Sequence, residues 1–169
     1  MVMYPRASFC GLFCESCPLY VGTIYEPESL KFLADRYGKS VDELRCRGCR
    51  SEVNSFYCSD CSIRECVKGK GLHFCSECDN YPCEFLKEFQ IRMPHKAELF
   101  QSLDILRESG YAAWCSKMDE DYSCKECGTI TPVYDLKCRQ CGRTPPNSFS
   151  ERNMSRIMKA LGLVNKRIK

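Results

Sequence analysis

Sixteen of the 169 residues are cysteines, and most of them fall at the spacing of metal ligands. Cys46/Cys49, Cys58/Cys61, Cys75/Cys78, Cys124/Cys127 and Cys138/Cys141 are all C-x-x-C pairs. A C-x-x-C turn aims two thiolates at one point, and two such turns complete a tetrahedron around zinc. The densest stretch runs from Cys46 to Cys83 and holds eight cysteines. Within it, Cys46, Cys49, Cys58 and Cys61 make C-x2-C-x8-C-x2-C, a complete zinc set. Cys66, Cys75, Cys78 and Cys83 can make a second set. Spacing alone allows interleaved pairing equally well.

Two further groups flank this stretch. Near the N-terminus, Cys10, Cys14 and Cys17 form C-x3-C-x2-C, with Gly11 inside the loop and Pro18 ending it. Three cysteines leave a tetrahedral metal one ligand short. His73, two residues before Cys75, and the lone Cys115 are candidates for the fourth. The plainer alternatives are a surface histidine and, beside the single Trp114, a small buried hydrophobe. Further on, Cys124, Cys127, Cys138 and Cys141 form C-x2-C-x10-C-x2-C, with Gly128 and Gly142 following the second cysteine of each pair. A glycine there can take the positive φ that closes a metal knuckle. The intervening TITPVYDL is rich in β-formers, so the segment reads as a hairpin-bearing zinc ribbon.

Other chemistries fit parts of this pattern. All-thiolate ligation also suits iron–sulfur clusters, which makes a redox or sensor protein the alternative for the N-terminal cysteines; zinc is the first expectation there and in the ribbon. The C-x3-C-x2-C spacing is also that of the radical-SAM loop, but that class needs an α/β barrel, and this chain lacks the length and the βα alternation. A catalytic zinc would need an acid or base beside an open position. Glu15 is the one carboxylate inside the trio, and no motif supports it, so the sequence leans away from an enzyme.

Composition sets the need for metal. Without the cysteines, 58 of 169 residues are apolar, about 34%, which is lean for a globular chain. Small cores need staples, and each structural zinc supplies roughly 10–16 kcal/mol of apparent binding energy in finger peptides. Paired C-x-x-C spacing and the lack of an apolar leader favour a reduced, cytoplasmic protein over a secreted disulfide scaffold. No apolar run approaches a membrane span. The net charge of +3 is uneven: residues 152–169 hold six basic side chains (Arg152, Arg156, Lys159, Lys166, Arg167, Lys169) and no acid.

The elements that must position these cysteines are short. PESLKFLADRY (27–37) reads as a helix closed by Gly38, and Ser40 with Glu43 makes a capping box for the helix that delivers Cys46. SIREC predicts a short helix, and Pro82 suits the first turn of the helix CEFLKEFQ. The spacing predicts one amphipathic helix over 94–109, with Leu99, Leu103 and Leu106 on a stripe, then a second around Trp114. His95 reads as a capping or surface residue, and Asp119, Glu120 and Asp121 as a solvated joint. In the last helix, capped by Ser150, residues Met154, Ile157, Met158 and Leu161 form an apolar stripe with Arg152, Arg156 and Lys159 off it. The expected fold is small, irregular, metal-stapled α+β. It divides into a cysteine-rich metal-binding domain (1–93), a helical hairpin (94–120), a zinc ribbon (121–148) and a basic amphipathic helix (149–169).

CGLFCESCPLY (10–20), CRGC (46–49) and CSDCSIRECVKGKGLHFCSECDNYPCEFL (58–86) together resemble a family of cysteine-rich proteins from archaea and anaerobic bacteria, classed as a domain of unknown function. The likeness rests on eleven cysteines with Gly11, Pro18, Arg64 and Pro82. It implies a soluble metal-binding protein with no assigned reaction, and it transfers no catalytic residue. Cys115 lies outside the motif. The function expected from all of this is a zinc-stapled module for a protein or nucleic-acid partner, with the basic C-terminal helix as the candidate contact. Aromatic residues Phe56, Tyr57, Phe74 and Tyr134 are scattered among basic ones and read as small-core residues more than as stacking platforms.

Overall fold

The computed structural model describes residues 3–163, and its regular structure is helical. Helix α1 (Pro18–Ile24) starts as soon as Cys17 is passed, because Pro18 at the first helical position has no N–H to leave unpaired. Helix α2 (Pro27–Tyr37) starts the same way and stops at Gly38, whose φ of +62° closes the cap. Leu30 and Ala34 of α2 pack towards Leu19 and Leu44, a small core beside Cys46. Gly22 allows the close approach: a Cβ there would lie 3.0 Å from that of Leu30. Helix α3 (Val41–Leu44) carries the expected capping box, with Ser40 Oγ accepting from the Glu43 N–H and the Glu43 carboxylate accepting from the Ser40 N–H.

After α4 (Phe56–Ser59) and α5 (Ser62–Gly69), a single 3-10 turn (Cys75–Glu77) leads to α6 (Glu84–Ile91). Cys83 is the N-cap of α6, so Pro82 stands one residue before the helix rather than in its first turn. The expected helix over 94–109 is divided: a 3-10 turn (Pro94–Lys96) precedes α7 (Leu99–Glu108). The leucine stripe of α7 is buried as its period requires. Helix α8 (Gly110–Tyr122) packs on α7 and on the final helix α9 (Ser148–Ala160).

A second, larger core joins the first loop to the parts that follow α3. It gathers Phe9 and Phe13 from the first loop, Val67, Leu86 and Leu103 from the helices, Val133 from the second cysteine segment, and Phe149 and Ile157 from α9. Trp114 is its centre, with 0% exposure. The indole Nε1–H donates to Ser102 Oγ at 2.6 Å, and that hydroxyl donates to the Gly11 carbonyl at 2.5 Å. Gly11 is required there: its φ is +82°, and a Cβ would fall 2.8 Å from Leu103.

Three expectations are corrected by the structure. No strand forms among the described residues; β structure is limited to two isolated antiparallel bridges, Ala7 with Phe13 and Ser123 with Ile130. The fold is therefore small and mostly helical, not α+β. The residues expected to make a hairpin spend their backbone groups elsewhere. The Thr131 N–H donates to the Tyr122 carbonyl, the Val133 N–H donates to Ser16, and Pro132 has no N–H to give. The final helix is capped by Asn147, whose side chain accepts from the Ser150 N–H at 2.8 Å, while Ser150 lies inside the helix. Asp119, Glu120 and Asp121 are in α8, and Asp121 is only 3% exposed, held by Lys117 and Arg152.

Candidate metal centre

Cys124, Cys127, Cys138 and Cys141 converge. Each offers its sulfur, and the four sulfurs all lie within 4.8 Å of one another. Cys124 and Cys141 approach to 3.5 Å, and Cys127 and Cys138 to 3.6 Å. Two local turns build the group. The Cys124 N–H donates to Thr129 and the Gly128 N–H returns to Cys124; the Cys138 N–H donates to Arg143 and the Gly142 N–H returns to Cys138. Gly128 and Gly142 both have φ above +70°, as a knuckle closure requires. The first cysteine of each pair is buried and the second exposed.

The electrostatics of this group are those of thiols being forced towards thiolates. The Thr129 hydroxyl and N–H at its sulfur pull Cys127 down to about 6. The Cys127 N–H also lowers Cys124. At Cys141 the Arg143 N–H also pulls down, but the three neighbouring thiols outweigh it and hold the group up at about 12. Four sulfurs that close cannot all be anionic without a cation among them. Among the described residues this is the one group of three or more metal-ligating side chains so closely set.

The other eleven cysteine ligand candidates sit in the first half of the chain. All sixteen cysteines are free thiols. The Lys70 ammonium donates to Cys78 Sγ at 3.1 Å and feels Cys66 and Cys83 as well, so three members of the second central set lie around one lysine. Burial raises the fourth, Cys75, and Cys10 and Cys83 stand near it. No group of three ligand atoms within 4.8 Å of one another joins His73 to Cys10, Cys14 and Cys17. That imidazole packs edge-on to Tyr4 at 5.3 Å, and the His73 carbonyl accepts from Arg50. Cys115 packs against the main core beside Tyr111, as a small hydrophobe does. The trio's thiol neighbours are Cys46, Cys49, Cys58 and Cys61, with Cys75 beside Cys10.

Residues 6–88 match the family model described as "Protein of unknown function (DUF3795)". The match spans just under half of the chain and includes all eleven of those cysteines. It supports a cysteine-rich family without a described activity. The segment Cys124–Cys141 and helices α7 to α9 lie outside it. No curated protein and no solved structure matches the chain.

Other singled-out residues have structural partners. Glu15 is paired with Arg6 at 2.9 Å, which also binds Asp119. His95 is no surface residue: its Nδ1 lies 2.7 Å from the Tyr134 hydroxyl, and burial pushes its pKa down to about 4. Arg152 holds Glu98 through two nitrogens, at 3.0 and 2.8 Å. Arg156 and Lys159 are exposed on α9, whereas Lys166, Arg167 and Lys169 lie outside the described residues. Phe74 is buried, while Phe56 and Tyr57 stack at 4.0 Å next to Tyr37. No helix among the described residues is long and apolar enough to cross a membrane.

Sequence reasoning missed two groups. Arg50 and Lys96 are cations near the cysteines with no carboxylate partner among the described residues, and neither carries a motif that marks it.

Proposed function

We propose that this chain is a zinc-binding interaction protein and not an enzyme. Cys124, Cys127, Cys138 and Cys141 hold zinc as a ribbon-type site, and the cysteines of residues 6–88 hold further zinc. The approach of the four sulfurs, at 3.5 and 3.6 Å in two pairs, carries this reading. Zinc–sulfur bonds of about 2.3 Å in a tetrahedron place sulfurs roughly 3.8 Å apart, close to what is found. A closed set of four cysteines is the structural form of zinc, with no position left for a substrate. Arg143 and Glu126, each next to a cysteine of the set or two residues from it, pair with each other at 2.6 Å.

The partner in this reading is a protein or a nucleic acid, met by the exposed basic residues Arg156 and Lys159 and the basic residues that follow α9. Arg152 belongs to the fold through Glu98 and takes no part. Metal analysis with a visible spectrum, after anaerobic purification, tests the metal assignment. The expected protein is colourless and carries zinc, one equivalent of which disappears in Cys127→Ser. A ribbon that stays empty in excess zinc would sink the proposal. Brown colour with acid-labile sulfide would replace zinc by iron–sulfur clusters in residues 6–88 and leave the ribbon assignment standing.

A further inference from the structure

Two cations, one buried and one half-buried, lack a carboxylate partner among the described residues. Lys96 is 8% exposed, lies over the Phe89 ring at 3.3 Å, and makes no ion pair among the described residues. Arg50 is stacked on Phe9 at 4.0 Å and Phe74 at 4.8 Å. Its guanidinium donates only to carbonyls, Ala7 at 2.9 Å and His73 at 2.6 Å. A buried cation without a counter-charge is strongly unfavourable, so its surroundings should supply one. Thiols lie within electrostatic reach of both, and Tyr4 and Tyr111 within reach of Arg50. Lys96 has Cys10, Cys58 and Cys61 near it, and Arg50 has Cys14 and Cys49. Arg92, also a cation, lies near Lys96 as well.

The backbone gathers the same cysteines. Gly48, inside the Cys46–Cys49 turn with φ +98°, would place a Cβ 3.9 Å from that of Cys14. The Cys46 N–H is held by Thr23 of α1 at 2.9 Å, and α1 begins at the residue after Cys17. Through its bond to Ala7, Arg50 ties the Cys49 turn to the loop that carries Cys10.

We propose that Cys10, Cys14, Cys17, Cys46, Cys49, Cys58 and Cys61 form one shared thiolate centre for two divalent metal ions, with Lys96 and Arg50 as its counter-cations. This deepens the reading that residues 6–88 bind metal and rests on it. Seven thiolates satisfy two tetrahedra when one sulfur bridges both ions. The trio then needs no fourth ligand from His73 or Cys115, and the central four are not a closed set of their own. No three of these sulfurs lie within 4.8 Å of one another, so loading turns the side chains about χ1 on knuckles already in place. Each bound ion displaces thiol protons to solvent.

Cobalt(II) is the probe, added to the reduced full-length chain and followed by metal analysis and electron paramagnetic resonance. About four cobalt ions per chain are expected, one in the ribbon, one at Cys66, Cys75, Cys78 and Cys83, and two in the shared centre. A thiolate-bridged pair couples antiferromagnetically, so the signal at full loading should correspond to about two isolated ions. A signal growing to four isolated ions overturns the shared centre. Cys14→Ser and Cys58→Ser should each empty the same pair, and the double variant should lose no more than either. Independent, additive losses overturn it. If these variants fail to fold, the wild-type signal decides alone. Lys96→Met should weaken binding at this centre about tenfold, and Lys96→Arg should restore it; equal affinity in Lys96→Met removes the counter-cation role. A chain that binds one cobalt, lost in Cys127→Ser, refutes the shared centre and leaves the ribbon reading intact.

Discussion

The two cysteine-bearing regions gather their thiols in opposite ways. In Cys124–Cys141 the ligands come from two turns separated by ten residues. Every backbone bond that shapes a turn spans about five residues, and the tips face solvent. In Cys10–Cys83 the cysteines sit on turns dozens of residues apart, linked by α1, by the Thr23 bond to Cys46, by Arg50 and by the main core. A locally closed site can form before the rest of the chain folds, because loop closure over so few residues is cheap. A site assembled across the core forms only with the core. The ribbon should therefore be separable from the fold and the N-terminal region should not.

The largest effect that tests this separation is the loss of an ion. Cys127→Ser should cost the ribbon its zinc, worth on the order of 10 kcal/mol of binding free energy, and leave the metal of residues 6–88 in place. Metal content and far-ultraviolet circular dichroism check both parts, and a variant that loses all its metal would contradict the separation. Next in size is Trp114→Ala. It removes the centre of the core and the indole partner of Ser102, which holds the Gly11 carbonyl one residue from Cys10. Urea unfolding should show a loss of about 3–5 kcal/mol. Metal of the N-terminal region should be released more readily, whereas ribbon metal should not change.

The same contrast sets what could be read from the chain. The convergence of Cys124, Cys127, Cys138 and Cys141 was legible because C-x2-C-x10-C-x2-C is a local pattern, and α2 and the Ser40–Glu43 cap were legible for the same reason. The absence of a hairpin was not, because the bonds that replace it come from Tyr122 and Ser16, residues that sequence spacing does not connect to Thr131 and Val133. The neighbours of Cys10, Cys14 and Cys17 were hidden likewise: spacing ranks His73 and Cys115 no lower than Cys49, and only the fold brings the Gly48 turn against Cys14. Asp121 looked like part of a charged joint because nothing in the sequence ties it to Arg152.

His95 gives a smaller effect and a pH test of how tightly the first half is joined to the segment that follows it. Burial, helped by the Lys96 charge, lowers its pKa to about 4, so the folded protein keeps the imidazole neutral while the unfolded chain protonates near 6.5. The unfolded state then binds more protons between these values. Stability is full above pH 6.5 and falls as pH drops towards 4, by about 2 kcal/mol between pH 6.5 and 5. In His95→Gln that slope should diminish by about one proton. Urea unfolding of both proteins over this range measures the difference; parallel curves would mean that His95 is free to protonate in the fold, and that its contact with Tyr134 does not hold the regions together.

The smallest effect probes the far side of the ribbon. Asn147 caps α9 by accepting from the Ser150 N–H, and its amide donates to the Tyr122 and Thr131 carbonyls at 3.3 and 3.4 Å. It thus touches both α9 and the chain between the two knuckles. Asn147→Ala should cost about 1 kcal/mol through the lost cap, and Asn147→Asp should recover the cap alone, since a carboxylate accepts but cannot donate. If the ribbon is closed by its own turns, neither change alters its zinc affinity, measured by competition with a chelator. A fall in affinity that tracks the lost amide donors in both variants would show that Thr131 must be held from outside, and that the ribbon depends on the core as the N-terminal cysteines do.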